Sequence, residues 1–366
     1  MRTICTAPIY IMMMNEVNEA NCEYSIIVPV YNRPDEVDEL LESLTQQTVK
    51  DFEVIIVEDG SDRDCRHVAE KYADRMAVRY FTKKNSGPGP SRNFGAERAQ
   101  GRWLIVLDSD VVLPPGYLQA ISYELSREPA EAFGGPDCAH PSFTPTQKAI
   151  SYSMTSFFTT GGIRGGKKKL DKFYPRSFNM GVKRDVYLNL GGFSKMRFGE
   201  DIDFSLRLFE AGCRCRLFPG AWVWHKRRTD LRKFFRQVYN SGIARINLAK
   251  RHPGSMKIVH LLPTIFTVGV IALVLLSAIG RILMHYDDPH RWYWLCAGPW
   301  LPILAYCLLI VIDSTLRNRS LKIGFISVAA AFVQLMGYGT GFIEAWWKRC
   351  VRGQDEFQAF EKNFYK

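Results

Sequence analysis

The sequence predicts an α/β domain with a mostly parallel sheet, followed by a C-terminal block of membrane helices. Two observations predict it. From Tyr24 to residue 107, short β-type apolar bursts alternate with amphipathic helical stretches, and after Lys257 three long apolar runs stand together. The chain's 366 residues leave ample length for such a domain and its core.

Residues 25–30 are rich in Ile and Val and read as a buried strand. Pro34 suits the first turn of a helix, and Val37, Leu40, Leu41 and Leu44 follow at i, i+3, i+4 and i+7. Residues 52–57 form a second strand, then the turn Glu58-Asp59-Gly60-Ser61 and a helix to Tyr72. A third strand covers 78–81. The Gly/Pro loop 86–90 leads into a helix through Ala99, and 103–107 make a fourth strand. In such sheets ligands bind at the carboxyl ends of the strands, which puts the sites just after Val30, Val57 and Leu107.

The next stretch is less regular. Residues 142–160 read as helical, 161–169 as a mobile Gly and Lys loop, and 178–182 as a strand. Residues 199–211 read as a helix with Ile202, Leu206 and Phe209 on one face, and 221–225 as a short alternating strand. The nine cysteines are scattered; Cys213 and Cys215 alternate along a reading as strand, and no CxxC or Cys/His zinc spacing occurs. Reduced structural thiols are the expectation.

The apolar runs 258–280, 295–312 and 323–343 each have the length of a helix that crosses ~30 Å of hydrocarbon. Trp292, Trp294, Trp346 and Trp347 mark their margins, where amphipathic rings favour the interface. The formal charge of +11 is not a nucleic-acid signal, because much of it lies between Lys226 and Lys257, beside the first run. Such a belt holds its side on the cytoplasmic face and attracts anionic headgroups. Within it, Leu231, Phe234, Phe235 and Val238 at helical spacing suit an interfacial helix. One conflict is built in: three full crossings would put Lys348, Arg349 and Arg352 outside, unless the third run is re-entrant or interfacial. The expected organisation is an extension over 1–23, a catalytic domain over 24–228, and a basic interfacial segment over 229–257. About three hydrophobic helices over 258–345 and a tail over 346–366 complete it.

Chemistry gathers first at Asp108-Ser109-Asp110. The D-x-D pattern also occurs at Asp62-Arg63-Asp64 and Asp201-Ile202-Asp203, but only Asp108 directly follows a hydrophobic strand. Two carboxylates at a strand end repel one another unless a cation sits between them. Mg²⁺ or Mn²⁺ satisfies them and also bridges a diphosphate. The alternative is an Asp turn capping the helix that follows Pro114.

In order and spacing, four segments resemble the nucleotide-binding motifs of the family-2, inverting glycosyltransferases: residues 25–32, Val57-Glu58-Asp59-Gly60-Ser61, Ser91-Arg92-Asn93 and Leu107-Asp108-Ser109-Asp110. Gly191-Gly192-Phe193 and Gly199-Glu200-Asp201-Ile202-Asp203-Phe204 extend the resemblance, which covers residues 24 to 230. It implies the A-type glycosyltransferase fold, a Rossmann-like nucleotide-diphospho-sugar transferase domain, here followed by transmembrane helices. It further implies that Pro29, Tyr31, Asp59, Arg92, Asp108 and Ser109 bind a nucleotide-sugar. Tyr31 would contact the base, Asp59 would accept from its imide N–H, and Asp108 would contact ribose or metal. Asp110 would be the direct ligand of a divalent cation, with His225 a further one. Glu58 departs from the family, which has Asp there.

An acceptor hydroxyl needs a positioned carboxylate to take its proton, and Asp201 opens a helix whose dipole favours an ionised acid. The resemblance makes Asp201 the general base, with Glu200 or Asp203 binding acceptor hydroxyls; simple helix capping is the plainer alternative. Together these readings predict a cytoplasmic-membrane enzyme passing sugar from a nucleotide-diphospho-sugar to a saccharide or lipid-linked acceptor of the cell envelope. A sugar nucleotidyltransferase would want a glycine-rich loop where Tyr31-Asn32-Arg33-Pro34 stands, and an inactive scaffold would not keep these acids. Arg236-Gln237 does not match the Gln-x-x-Arg-Trp motif of the processive synthases.

Overall fold

The computed structural model describes residues 22–138, 140, 142–161, 172–226, 229–286 and 289–360. Most of the 1–23 extension and of the expected 161–169 loop lies outside the described residues. The strands, in chain order, are β1 (Tyr24–Val30), β2 (Phe52–Asp59), β3 (Ala77–Lys83), β4 (Trp103–Leu107), β5 (Val111–Val112), β6 (Ala132–Gly134), β7 (Asp137–Cys138), β8 (Asn179–Lys183), β9 (Cys215–Leu217) and β10 (Val223–His225). The helices of the α/β domain are α1 (Pro34–Thr45), α2 (Arg66–Tyr72), α3 (Pro88–Arg98), α4 (Tyr117–Arg127), α5 (Pro145–Thr155), α6 (Phe157–Thr160), α7 (Arg184–Asn189) and α8 (Glu200–Glu210).

Seven strands make one sheet in the order β3-β2-β1-β4-β8-β6-β9. The β3-β2-β1-β4 half is parallel, as the alternation of elements requires, whereas β8 runs antiparallel to both β4 and β6. Successive side chains serve opposite faces. Ile26, Val28, Val54, Ile56, Ile105 and Leu107 pack on one face with Leu41 of α1 and Leu118 of α4. Ile27, Ile55, Val57, Leu104 and Val106 pack on the other with Ala96 of α3 and Phe204 of α8. The predicted 142–160 helix is two helices, broken at Ser156, whose side chain caps the second. Strand β9 begins only at Cys215, so Cys213 sits in the turn before it.

Five further helices follow: α9 (Leu231–Arg251), α10 (Leu262–Tyr286), α11 (Pro289–Ala297), α12 (Leu301–Asn318) and α13 (Leu321–Trp346). Among the described residues, three stretches, Leu262–Tyr286, Trp292–Asn318 and Leu321–Val351, are long and apolar enough to cross a membrane. They are not alike: the share buried within the protein is 11% and 6% for the first two and 39% for the third.

Helix α13 is buried between α5 and α9 on one side and α10 and α12 on the other, where Gly339 abuts Thr267 and Gly324 abuts Thr315. It runs parallel to α9: Val238 meets Gly337, Gly242 meets Tyr338 and Phe342, and Lys250 Nζ donates to the Arg349 carbonyl at 2.6 Å. Its first half joins Ala149, Ile150 and Met154 of α5 in one apolar cluster. The tail then turns back along α9, with Ala359 N donating to Asn240 Oδ1 at 3.0 Å and Arg251 paired to Glu356 at 2.7 Å. The amphipathic helix expected over 229–257 is present as α9, but protein covers its apolar face. Gly199 abuts Ala244 and Leu248 on one side, and α13 lies on the other. Lys348 and Arg349 therefore lie beside the basic end of α9, on the side of the α/β domain.

Candidate active site

Strand β4 ends at the carboxyl edge of the sheet, and the chain turns at once through Asp108-Ser109-Asp110 into β5. That short strand pairs antiparallel with β10, setting His225 opposite Val111. The pairing carries His225 to the acids: its Nε2 is 3.2 Å from Asp110 Oδ1 and 3.9 Å from Asp108 Oδ2. Phe178 stacks on the imidazole at 4.9 Å, fixing the ring plane. Ser109, between the two acids, is buried. One ligand atom from each of Asp108, Asp110 and His225 falls within 4.8 Å of the others, the one such group among the described residues. Two carboxylates and an imidazole suit a divalent ion such as Mn²⁺, so the expected metal residues fit the group. Asp108, expected at ribose or metal, offers a third ligand atom.

Arg33 was not singled out by the sequence. Its NH1 donates to Asp110 Oδ2 at 2.9 Å from the loop just past β1. Asn32 beside it takes a left-handed backbone with φ of 55°. Its Oδ1 accepts from Asp62 N and Arg63 N, both at 2.9 Å, which ties the β1 loop to the β2 loop. Tyr31 lies half-buried in that loop, and Pro29 pairs with Val57 within the sheet.

Glu58 and Asp59 divide their labour. Glu58 is buried and accepts from Cys65 N at 3.0 Å, Cys65 Sγ at 3.1 Å and Tyr80 OH at 3.2 Å, as well as from Ser61. It fastens the 60–65 turn, and burial together with its charge pushes the Cys65 thiol up. Asp59 accepts from Ser86 N at 2.9 Å and Gly87 N at 2.8 Å and pairs with Lys83. It anchors the loop that starts α3, and the residue is buried.

Arg92 lies a full turn inside α3, which begins at Pro88. It is 3% exposed and bridges two acids: NH2 donates to Asp108 Oδ1 at 2.7 Å and NH1 to Glu200 Oε1 at 3.1 Å. This clamp joins the carboxyl end of β4 to the start of α8. Gly199 precedes α8 with φ of 85°, a left-handed turn that glycine takes without strain. Asp201, next on the helix, has Oδ1 against its neighbour's Ile202 N at 2.8 Å and Oδ2 against Arg176 Nε at 3.0 Å. Burial pushes the Glu200 carboxyl well above the usual carboxylate range, with Arg92 opposing the rise and Asp201 adding to it.

Asp203 stands apart from this group. It is 3% exposed, with Oδ1 at 3.0 Å from His252 Nε2 and Oδ2 accepting from Arg207 Nε at 3.0 Å. Burial works against its charge, yet His252 and Arg207 hold its carboxyl below the usual range. Asp203, expected with Glu200 as an acceptor-binding candidate, here ties α8 to the end of α9.

Residues 25–190 match the family described as glycosyl transferase family 2. An uncharacterized glycosyltransferase of Haemophilus influenzae is 34% identical over 187 residues, which is 51% of this chain and 62% of that protein. The chain thus spans about three fifths of that relative's length. A validoxylamine A glucosyltransferase of Streptomyces hygroscopicus is 36% identical over 101 residues, 26% of this chain and 24% of that protein. Among solved structures, the mannosyltransferase PcManGT from Pyrobaculum calidifontis, in complex with GDP-Man and Mn²⁺, superposes with a TM-score of 0.54. It covers 88% of each chain at 15% identity, a likeness of fold.

Proposed function

We propose that this chain, whose residues 25–190 form a glycosyl transferase family 2 domain, is a membrane-anchored inverting glycosyltransferase. It would move a sugar from a nucleotide-diphospho-sugar to an envelope glycan or lipid-linked acceptor. One observation carries the reading: Asp108, Asp110 and His225 converge at the carboxyl edge of β4, and Arg92 links them to Glu200-Asp201. A divalent cation held there, Mn²⁺ by the chemistry of its ligands, would neutralise charge developing on the departing diphosphate.

The chain's own residues do the rest. Arg92 keeps the donor end and the acceptor end in register. Pro29, Tyr31, Asp59, Asp108 and Ser109 would bind the nucleotide-sugar. Asp201 takes the acceptor's proton as its oxygen attacks the anomeric carbon, in a single displacement that inverts configuration. Helices α10 and α12 would enter the bilayer of the cytoplasmic membrane, with α9, α13 and the catalytic domain on its cytoplasmic face. The complex of PcManGT with GDP-Man and Mn²⁺ supports a GDP-sugar and Mn²⁺ as the first donor and ion to try.

The test is calorimetry and acceptor-free donor hydrolysis on the purified full-length chain, using UDP-, GDP- and dTDP-hexoses with Mn²⁺ or Mg²⁺. Binding of at least one donor that needs the ion, and its loss in Asp110→Asn, is the expected result. No heat and no hydrolysis with any donor overturns the reading.

A further inference from the structure

Each of the paired acids at the start of α8 has its own arginine, and the two pairs differ in kind. Glu200 faces Arg92, which is 3% exposed and locked by two carboxylates. Asp201 faces Arg176, whose side chain is 31% exposed. The backbone of Arg176 is fixed: its carbonyl accepts from Asn179 N at 2.9 Å in an isolated bridge. Asn179 in turn is fully buried, bonded to Tyr117 OH at 2.6 Å and to the Ala221 carbonyl at 2.8 Å. A rigid base therefore carries a long, half-open guanidinium to the carboxylate.

That contact has a cost for chemistry. Asp201 Oδ1 is held by Ile202 N of its own helix, so Oδ2 is the oxygen left to receive a proton, and Arg176 Nε sits 3.0 Å from it. An acceptor offering only a hydroxyl gives the guanidinium no replacement for this carboxylate. An acceptor carrying its own anion does: its phosphate or carboxylate takes the planar fork, and Oδ2 is released for the hydroxyl.

Resting on the transferase reading above, we infer that Arg176 is a specificity-determining residue that recognises an anionic group on the acceptor and uncovers Asp201 when it does so. The acceptor class is an anion-bearing saccharide, whether the anion is a lipid-linked diphosphate or the carboxylate of an acidic sugar. Balance is kept, since the acceptor O–H proton passes to Asp201 Oδ2, the new glycosidic bond forms, and the donor's bond to its diphosphate breaks.

The experiment uses full-length protein in detergent with Mn²⁺ and the donor found by calorimetry. Two matched acceptor pairs serve as probes: an alkyl diphospho-sugar against the uncharged alkyl glycoside of the same sugar, and p-nitrophenyl glucuronide against p-nitrophenyl glucoside. Wild type should favour the anionic member of one pair by roughly tenfold or more in kcat/KM, and which pair responds identifies the source of the anion. Arg176→Gln should erase that preference through a raised acceptor KM while leaving donor affinity unchanged, and Arg176→Lys should restore part of it. Equal or absent transfer to the anionic members overturns the inference, as does an Arg176→Gln variant with its preference intact. A loss of donor affinity in Arg176→Gln also overturns it, since the guanidinium would then serve the donor. Absence of donor binding in wild type instead brings down the transferase reading, and this inference with it.

Discussion

Four acids of the cleft are each met by an arginine: Asp110 by Arg33, Asp108 and Glu200 by Arg92, Asp201 by Arg176. Carboxylates crowded at a sheet edge would otherwise repel one another, and the guanidinium groups between them offset that repulsion before any ligand arrives. Arg33 competes with a cation for Asp110. Removing it in Arg33→Ala should tighten Mn²⁺ binding about fivefold in donor-free calorimetry, the equivalent of about 1 kcal/mol for a partly exposed pair. Asp110→Asn should weaken the same binding and cut turnover by ~10²–10³. Mn²⁺ affinity indifferent to both changes would remove Asp110 from the ligand set. Glu200 makes a pH prediction. Its raised carboxyl keeps a proton that the unfolded chain releases, so the stability it adds is complete below the ordinary glutamate value and is lost as pH climbs through the raised one. From about pH 5 to about pH 8 without metal, wild type should therefore lose more Tm than Glu200→Gln; parallel falls would mean that Glu200 is ionised throughout. The acids were legible in the sequence because a strand followed at once by Asp-Ser-Asp is a pattern. Arg33 and Arg176 were not, since a lone arginine in a loop acquires its role only when folding brings a distant carboxylate to it.

The elements carry these side chains with different certainty. Strands β1 to β4 and the helices between them follow directly from apolar periodicity, and the site after Leu107 follows from the rule for parallel sheets. The antiparallel insertion of β8 has no signature in residues 178–182, because a buried strand looks the same in either direction. The packing of α9 on α13 was likewise hidden. It depends on glycines: a Cβ on Gly341 would lie 2.1 Å from the Tyr239 carbonyl oxygen, and one on Gly242 would lie 2.2 Å from that of Tyr338. Backbones this close leave no room for a side chain. Gly341→Leu should cost ~1–3 kcal/mol, read as a lower Tm in detergent. Gly269→Leu on α10, where nothing lies within 4 Å, is the control and should be neutral. Since Gly199 rests on Ala244 and Leu248, the same α9 also supports the turn that presents Glu200 and Asp201. The Asp203–His252 pair adds a second tie. Asp203→Ala should then destabilise the chain by roughly 3 kcal/mol through the stranded partners, with donor affinity preserved in the protein that remains folded.

At the scale of the whole molecule, the apolar C-terminal block is not a detachable anchor. Apolar composition reads alike whether lipid or protein covers it, which is why the sequence left open whether the third run crosses the membrane or is re-entrant or interfacial. In the structure, α13 covers a face shared by α5 and α9, where Phe234 is fully buried and Val238 nearly so. Each large apolar side chain stripped of cover costs ~1.5–3 kcal/mol, so a chain cut after Lys257 should aggregate on size exclusion rather than yield a soluble enzyme. The same packing makes a topology prediction. Lys250 donates to the Arg349 carbonyl and Arg251 pairs with Glu356, contacts that predict a tail on the same side of the membrane as the α/β domain. That satisfies the positive charges at 348, 349 and 352, which three full crossings would have stranded outside. Cys350 and Cys138 are both exposed, one in the tail and one in the α/β domain. In intact cells a membrane-impermeant maleimide should leave both unlabelled, and permeabilisation should open both together, read peptide by peptide in a mass spectrometer. Labelling of Cys350 alone before permeabilisation would mean that α13 crosses the bilayer. The contacts between the tail and α9 could not then exist in the membrane, and the support they give to the Gly199 turn would have to come from elsewhere.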